Sequence, residues 1–216
     1  EGHKVEKNNI SISYPVEETP GQKGTALEEP EATPLNGLLY YRYDNVIWGY
    51  APNGITQPLG VGTHPTASLN GKLTYQDVDG NVILLDSDNP SGKLLLGMRE
   101  LATEPAISPN GGYLAFARRS VDRRRVYIRH LSSQQEMLVP STAQEMFTPI
   151  WNVSGELLAY GTKGSIENPE AGEDRNIYAY DRVSGRVEPI CIGPADDTEP
   201  AWSPSDANLL AFSRAE

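Results

Sequence analysis

Four copies of one pattern constrain this chain more than any other feature. They are His64–Gln76 (HPTASLNGKLTYQ), Glu104–Arg118 (EPAISPNGGYLAFAR), Thr148–Gly161 (TPIWNVSGELLAYG) and Glu199–Arg214 (EPAWSPSDANLLAFSR). Each has a proline, a short apolar strand, a turn with Gly, Asn or Asp, and a second strand ending near an aromatic residue. The prolines Pro65, Pro105, Pro149 and Pro200 stand 40, 44 and 51 residues apart. A repeat of that length built from short strands implies blades that bury their faces only against each other. The expected fold is all-β: a β-propeller of four-stranded blades, with about four and a half repeats visible and five or six at closure.

The repeats set the domain map. Residues 1–34 form an extended acidic, proline-rich tail, and 35–216 form the propeller. Blades are expected at 37–61, 64–98, 104–140, 148–192 and, incompletely, 199–216. In the tail, Asn8–Val16 alternates Ile10, Ile12 and Tyr14 with polar neighbours, which predicts a docking strand. Val16–Pro34 carries five glutamates, one lysine and three prolines, a composition too polar to offset its own ordering entropy, and reads as a linker. The first blade opens with a hairpin about Asp44-Asn45 and has no first strand of its own. First strands are expected at Thr66–Leu69, Ala106–Ser108, Ile150–Asn152 and Ala201–Ser203. Trp151 and Trp202 end the last two of these, where large rings would fill the space between blades.

Charge and composition remove several function classes. A net charge of −11 disfavours nucleic acid, whose phosphates demand a basic surface. No window approaches a membrane-spanning apolar run. The single cysteine, Cys191, forbids an internal disulfide framework or a cysteine metal cluster. Gly-x-Ser-x-Gly, the phosphate-loop motif and His-Glu-x-x-His do not occur, and only three histidines are present. The chain is therefore expected not to be an enzyme, and no cofactor is called for. Asp77-Val78-Asp79-Gly80-Asn81 resembles the start of a calcium loop, but lacks the later Gly and Glu and reads as a tight turn. A chain that opens on Glu1 rather than Met is expected to be a processed protein or a fragment.

Glu199-Pro200-Ala201-Trp202-Ser203-Pro204-Ser205-Asp206 and Glu104-Pro105-Ala106-Ile107-Ser108-Pro109-Asn110-Gly111 resemble the TolB-like propeller repeat. Its pattern runs Pro, aromatic, Ser-Pro, Asp/Asn-Gly, then an apolar strand. The resemblance covers about residues 37 to 216. It implies one of three settings: a periplasmic scaffold, a propeller attached to a hydrolase, or a more distant polysaccharide lyase. The expectation adopted is a non-catalytic protein-binding or scaffolding propeller outside the cytoplasm (periplasm or cell surface), tethered by its tail within a larger assembly. The alternatives are the propeller of a larger serine-peptidase-type hydrolase, and a structural subunit that assembles through its N-terminal strand.

Two constellations are candidate binding sites. His64, Glu104, Thr148 and Glu199 occupy one repeat position before each proline, and are expected to start the first strands as a partial ring at the channel mouth. A ring with two carboxylates is a candidate cation site, weighed against simple solvation of the mouth. The same mouth is expected to carry Arg118, Arg119, Arg123, Arg124 and Arg125. It also receives a long insertion, Lys163–Asn176, with Glu167, Glu170, Glu173 and Asp174. Such a basic hairpin predicts an acidic counterpart, either this insertion or an outside protein.

Overall fold

The computed structural model describes residues 39–121, 123–165 and 174–215. The expected strand of the tail, with Ile10, Ile12 and Tyr14, lies outside the described residues, as do Glu167, Glu170 and Glu173. β-strands, paired antiparallel within each blade, make up the described residues, with one short 3₁₀ turn at Met98–Glu100 and no α-helix among them. None of its helical segments is long and apolar enough to cross a membrane.

β1 (Leu39–Tyr43) and β2 (Val46–Tyr50) form the first hairpin. Asp44 and Asn45 turn it with φ of 48° and 60°, the left-handed pair that matches strand twist. β3 (Thr56–Ala67) serves two blades. Its first half pairs with β2, Val46 opposite Val61, and its second half with β4 (Leu73–Asp77), Gly62 opposite Asp77. One continuous strand thus closes the first blade and opens the second. β5 (Val82–Leu85) and β6 (Lys93–Leu96) complete the second blade.

The third blade comprises β7 (Ala102–Ile107), β8 (Tyr113–Arg119), β9 (Arg124–His130) and β10 (Glu136–Leu138). The fourth comprises β11 (Ala143–Trp151), β12 (Leu157–Ser165), β13 (Arg175–Asp181) and β14 (Val187–Cys191). β15 (Asp196–Trp202) and β16 (Leu210–Ala215) form a further hairpin. A parallel bridge, Glu145 to Arg124, joins the third and fourth blades.

The repeated strand pair is apolar on both sides because both sides are covered. In β8, Leu114, Ala115, Phe116 and Ala117 are all fully buried. Leu114 and Phe116 pack with Val82 and Leu96 of the second blade, whereas Ala115 joins Trp151 and Tyr160 of the fourth. Small residues on the second side leave room for the tryptophan that the next blade inserts. Trp151 is 6% exposed and its indole N–H donates to the Ala106 carbonyl at 3.1 Å. Trp202 repeats the contact one blade later, donating to the Ile150 carbonyl at 3.2 Å. Both rings therefore bridge blades, as their repeat position predicts.

A second set of bonds ties the turns at the far end of the first strands. The Leu69 N–H donates to the Pro109 carbonyl at 2.8 Å, and Lys72 Nζ to the Gly111 carbonyl at 3.1 Å. At the opposite end, Asp77 closes its own turn. Its Oδ1 accepts from the backbone of Asp79 and Asn81 at 3.0 and 2.8 Å, while Gly80 takes φ of 84°. Both Asp77 oxygens are engaged there, Oδ2 by the Asn81 amide at 2.9 Å, so the motif is a turn.

Candidate functional site: the first-strand bulges and the arginine hairpin

The ring position is not the start of the first strand. β7, β11 and β15 begin several residues before their prolines, so His64, Glu104, Thr148 and Glu199 sit mid-strand. At each of the four, the ladder register shifts: between Thr63 and Thr66, Thr103 and Ala106, Phe147 and Ile150, Thr198 and Ala201. The four residues take φ of 53°, 53°, 45° and 54°, a left-handed conformation rare outside glycine. The cause is visible in the motif. Proline cannot donate to the ladder, and its ring bars the right-handed helical region at the residue before it. The strand responds with a bulge, and the bulge frees a backbone N–H.

Glu104 uses that N–H. Its Oε2 accepts from the Thr148 backbone at 2.6 Å, across the boundary to the next blade, and its Oε1 lies 2.8 Å from Arg124 Nη2. Arg124 also donates to Thr103 Oγ1 at 2.9 Å. Of the expected ring, the structure thus joins Glu104 to Thr148 and adds Arg124, forming a clasp between blades. His64 and Glu199 are exposed, and His64 Nδ1 lies 3.0 Å from Thr63 Oγ1. Among the described residues, no three His, Cys, Asp or Glu side chains group as metal ligands. Glu104→Gln is expected to cost about 1–2 kcal/mol, because the ion pair with Arg124 is lost and the bond from Thr148 loses its charge assistance. Glu199→Gln should change urea stability by no more than about 0.5 kcal/mol. Equal losses in the two variants would show that Glu104 has no special role.

The arginines do not act as one exposed group. Arg118 and Arg125 lie opposite each other in register, as do Arg119 and Arg124. Arg118 pairs with Glu136 at 2.8 Å and with Glu100 at 3.0 Å. Its guanidinium stands 4.9 Å from the Phe116 ring and 4.8 Å from the Tyr127 ring. Arg129 reaches the same two carboxylates, with Glu100 at 2.6 Å and with Glu136 through Nε at 2.7 Å. Arg125 donates to the Ala143 carbonyl of the fourth blade. Of the five arginines expected to share the mouth, Arg118, Arg124 and Arg125 are held by partners within or between blades. Arg119 and Arg123 are exposed, and Val121 between them is fully exposed.

The described flanks of the long insertion extend the ladder of the fourth blade. β12 continues to Ser165 and β13 begins at Arg175, with Lys163 opposite Arg175 in the ladder. Asp174 lies beside the end of that ladder and is half-buried.

Sequence reasoning missed Glu100, Arg129 and Glu136, and it missed Asp197. Asp197 is fully buried in β15, and Arg214 meets its two oxygens at 2.8 and 3.1 Å. The Arg214 hydrogen bond outweighs burial and holds the Asp197 carboxyl below its usual range. The hydrogen bond to Asp197, with burial, pushes the Cys191 thiol up. One signal was present in the sequence. Phe116-Ala117-Arg118 and Phe212-Ser213-Arg214 repeat at one position, and each arginine faces its own phenylalanine and a carboxylate.

Antiparallel blades whose first strands pack on one another define a β-propeller-type repeat protein. No family model matches the chain. It is similar to a protein TolB homolog of Chlorobium chlorochromatii, 28% identical over 127 residues, covering 59% of this chain and 27% of that protein. The chain thus spans about a quarter of that relative's length. TolB from Acinetobacter baumannii shares the fold at a TM-score of 0.63 and 15% identity, over 77% of this chain and 42% of that one. A TolB-type structure from Agrobacterium tumefaciens does so at 0.65 and 16%, over 83% and 66%. The tricorn protease matches at 0.53 and 14%, over 82% of this chain and 19% of its own. The sequence similarity and the shared fold bear out the TolB-like resemblance.

Proposed function

We propose that this chain is a non-catalytic protein-binding propeller that acts outside the cytoplasm, as a scaffold within a bacterial envelope assembly. The observation that carries this reading is the TolB-like fold itself, joined to sequence similarity with a TolB homolog. The way the chain uses its reactive side chains supports it. Glu100, Glu104, Glu136 and Asp197 all accept bonds from arginines or backbone within the blades, so they serve architecture. In this reading the blades belong to a propeller of five or six, and the acidic tail tethers it. The shared fold of the tricorn protease supports the second reading, a propeller attached to a catalytic domain.

The β8–β9 hairpin tip is the proposed contact for a protein partner. Val121 offers an apolar point, flanked by exposed Arg119 and Arg123, on a chain whose net charge is −11. An acidic protein surface fits that tip. Copurification from the native envelope, followed by binding kinetics with the isolated partner, tests the proposal. Arg119→Glu with Val121→Asp should leave the melting curve within about 0.5 kcal/mol and slow association most at low salt. Unchanged kinetics would remove the hairpin from the interface. Hydrolytic turnover by the intact protein, lost when an adjoining catalytic domain is deleted, would favour the second reading.

A further inference from the structure

A cavity of about 470 Å³ opens between the third and fourth blades, a volume in the range of small-molecule sites, roughly 300–1,000 Å³. One wall is the connector from β10 to β11, which brings Ser141 and Thr142. The other is the sheet of the fourth blade, which brings Thr162, Asp174, Asn176 and Tyr178. Its place in the fold follows from the repeat. Thr162 and Asn176 are opposite in register two residues beyond the Tyr160–Tyr178 pair, so the sheet face changes from aromatic core to polar rim.

The lining is rich in hydroxyls whose bonding capacity is only partly used. Ser141 Oγ accepts the Ala143 N–H at 3.1 Å and keeps its own proton to donate. The Thr162 hydroxyl donates to the Asn176 carbonyl at 3.3 Å and keeps its lone pairs. Thr142 is exposed and Asp174 half-exposed, adding a hydroxyl and a pure acceptor on facing walls. Tyr178 supplies an aromatic surface, one side of it stacked on Tyr160 at 6.3 Å between centroids. Among the described lining residues there is no lysine, arginine or histidine, and Asp174 is the one charged group.

We infer that this inter-blade cleft binds a neutral saccharide of one or two rings. Such a ligand presents alternating hydroxyl donors and acceptors for the Ser141, Thr142 and Asp174 side chains, and apolar ring faces for Tyr178. An anionic sugar or a phosphate would meet the Asp174 carboxylate, while Arg125 at this wall is engaged by the Ala143 carbonyl. The cleft uses none of Arg119, Val121 and Arg123 proposed for the protein partner, and the two readings succeed or fail independently.

Saturation-transfer NMR with cellobiose, maltose and chitobiose at millimolar concentration tests the inference on the full chain. The expected result is saturable transfer to the ring protons of at least one disaccharide. Thr142→Val and Asp174→Ala should each weaken that affinity about fivefold, the value of one hydrogen bond, with unchanged melting temperatures. Galacturonic acid should bind more weakly than its neutral counterpart in the native chain, and the gap should narrow in Asp174→Ala. Three outcomes overturn the proposal. They are no transfer from any neutral sugar, equal affinity for the acid sugar, or affinity undiminished in both variants.

Discussion

Trp151→Ala is expected to lose about 3–5 kcal/mol of unfolding free energy, the range for deleting a large buried aromatic side chain. The ring fills the boundary between the third and fourth blades, where it packs with Ala106, Ala115 and Tyr160. Alanine cannot refill that space, because Ala106 and Ala115 on the opposite side are already small. Trp151→Phe separates the contributions. It keeps most of the apolar volume but leaves the Ala106 carbonyl without its donor, for a loss of about 1–2 kcal/mol. Urea denaturation followed by circular dichroism would measure both. In a repeat protein the interfaces couple neighbouring blades, so the alanine variant should also lose cooperativity and show a shallower transition. If the alanine and phenylalanine variants lose the same amount, packing at this boundary is not what holds the blades together.

The second large effect concerns Glu136. It receives Arg118 and Arg129 together, beside Glu100 and over the stacked rings of Phe116 and Tyr127. Burial alone would raise its carboxyl. Hydrogen bonds from Arg118 and Arg129 outweigh burial and hold it below the ordinary value of 4.5. Arg118 is raised in turn, chiefly by its bond to Glu136. Glu136→Gln removes the charge between two guanidinium groups and should cost about 1–2 kcal/mol at neutral pH, since the cluster is only partly screened by solvent.

The pH dependence has a definite sign. A carboxyl depressed in the folded state adds stability that is fully present above the unfolded value and is lost as pH falls through the folded value. The difference between native protein and Glu136→Gln should therefore hold from pH 7 to about 5 and shrink below about 4.5. Thermal melting at a series of pH values, at low and high salt, reads it directly. A constant difference down to pH 3 would mean that the carboxylate charge contributes nothing.

Much of the fold was legible in the chain, and the reason is repetition. A single Pro-aromatic-Ser-Pro motif is weak, but four in register specify the strand pair, the turn and the neighbour against which each must pack. The Asp44-Asn45 hairpin, the Asp77–Asn81 turn and the bridging roles of Trp151 and Trp202 follow from local chemistry: left-handed turn residues, a carboxylate short of donors, a large ring at a repeated boundary. The candidate site was less legible. Glu104, Thr148, Arg118 and Arg124 stood out in the repeats, but Glu100, Arg129, Glu136 and Asp197 did not, because sequence spacing identifies which positions are equivalent and not what stands across from them.

Glu104 and Glu199 make the distinction concrete. They are identical in residue, motif and backbone conformation, yet one is a clasp and the other is exposed. Arg124 beside Glu104 and the freed N–H of Thr148 beyond it make the difference, and both come from other strands. Arg118 and Arg123 likewise belong to one charged hairpin in sequence, but only Arg118 has Glu100 and Glu136 within reach. By itself the sequence determined the strand period, the turns, the bulge-forming prolines and the apolar faces, all of which depend on neighbours along the chain. The pairing of charges across blades was decided only by the tertiary structure, because electrostatic partners are chosen by distances of about 3 Å between residues far apart in sequence.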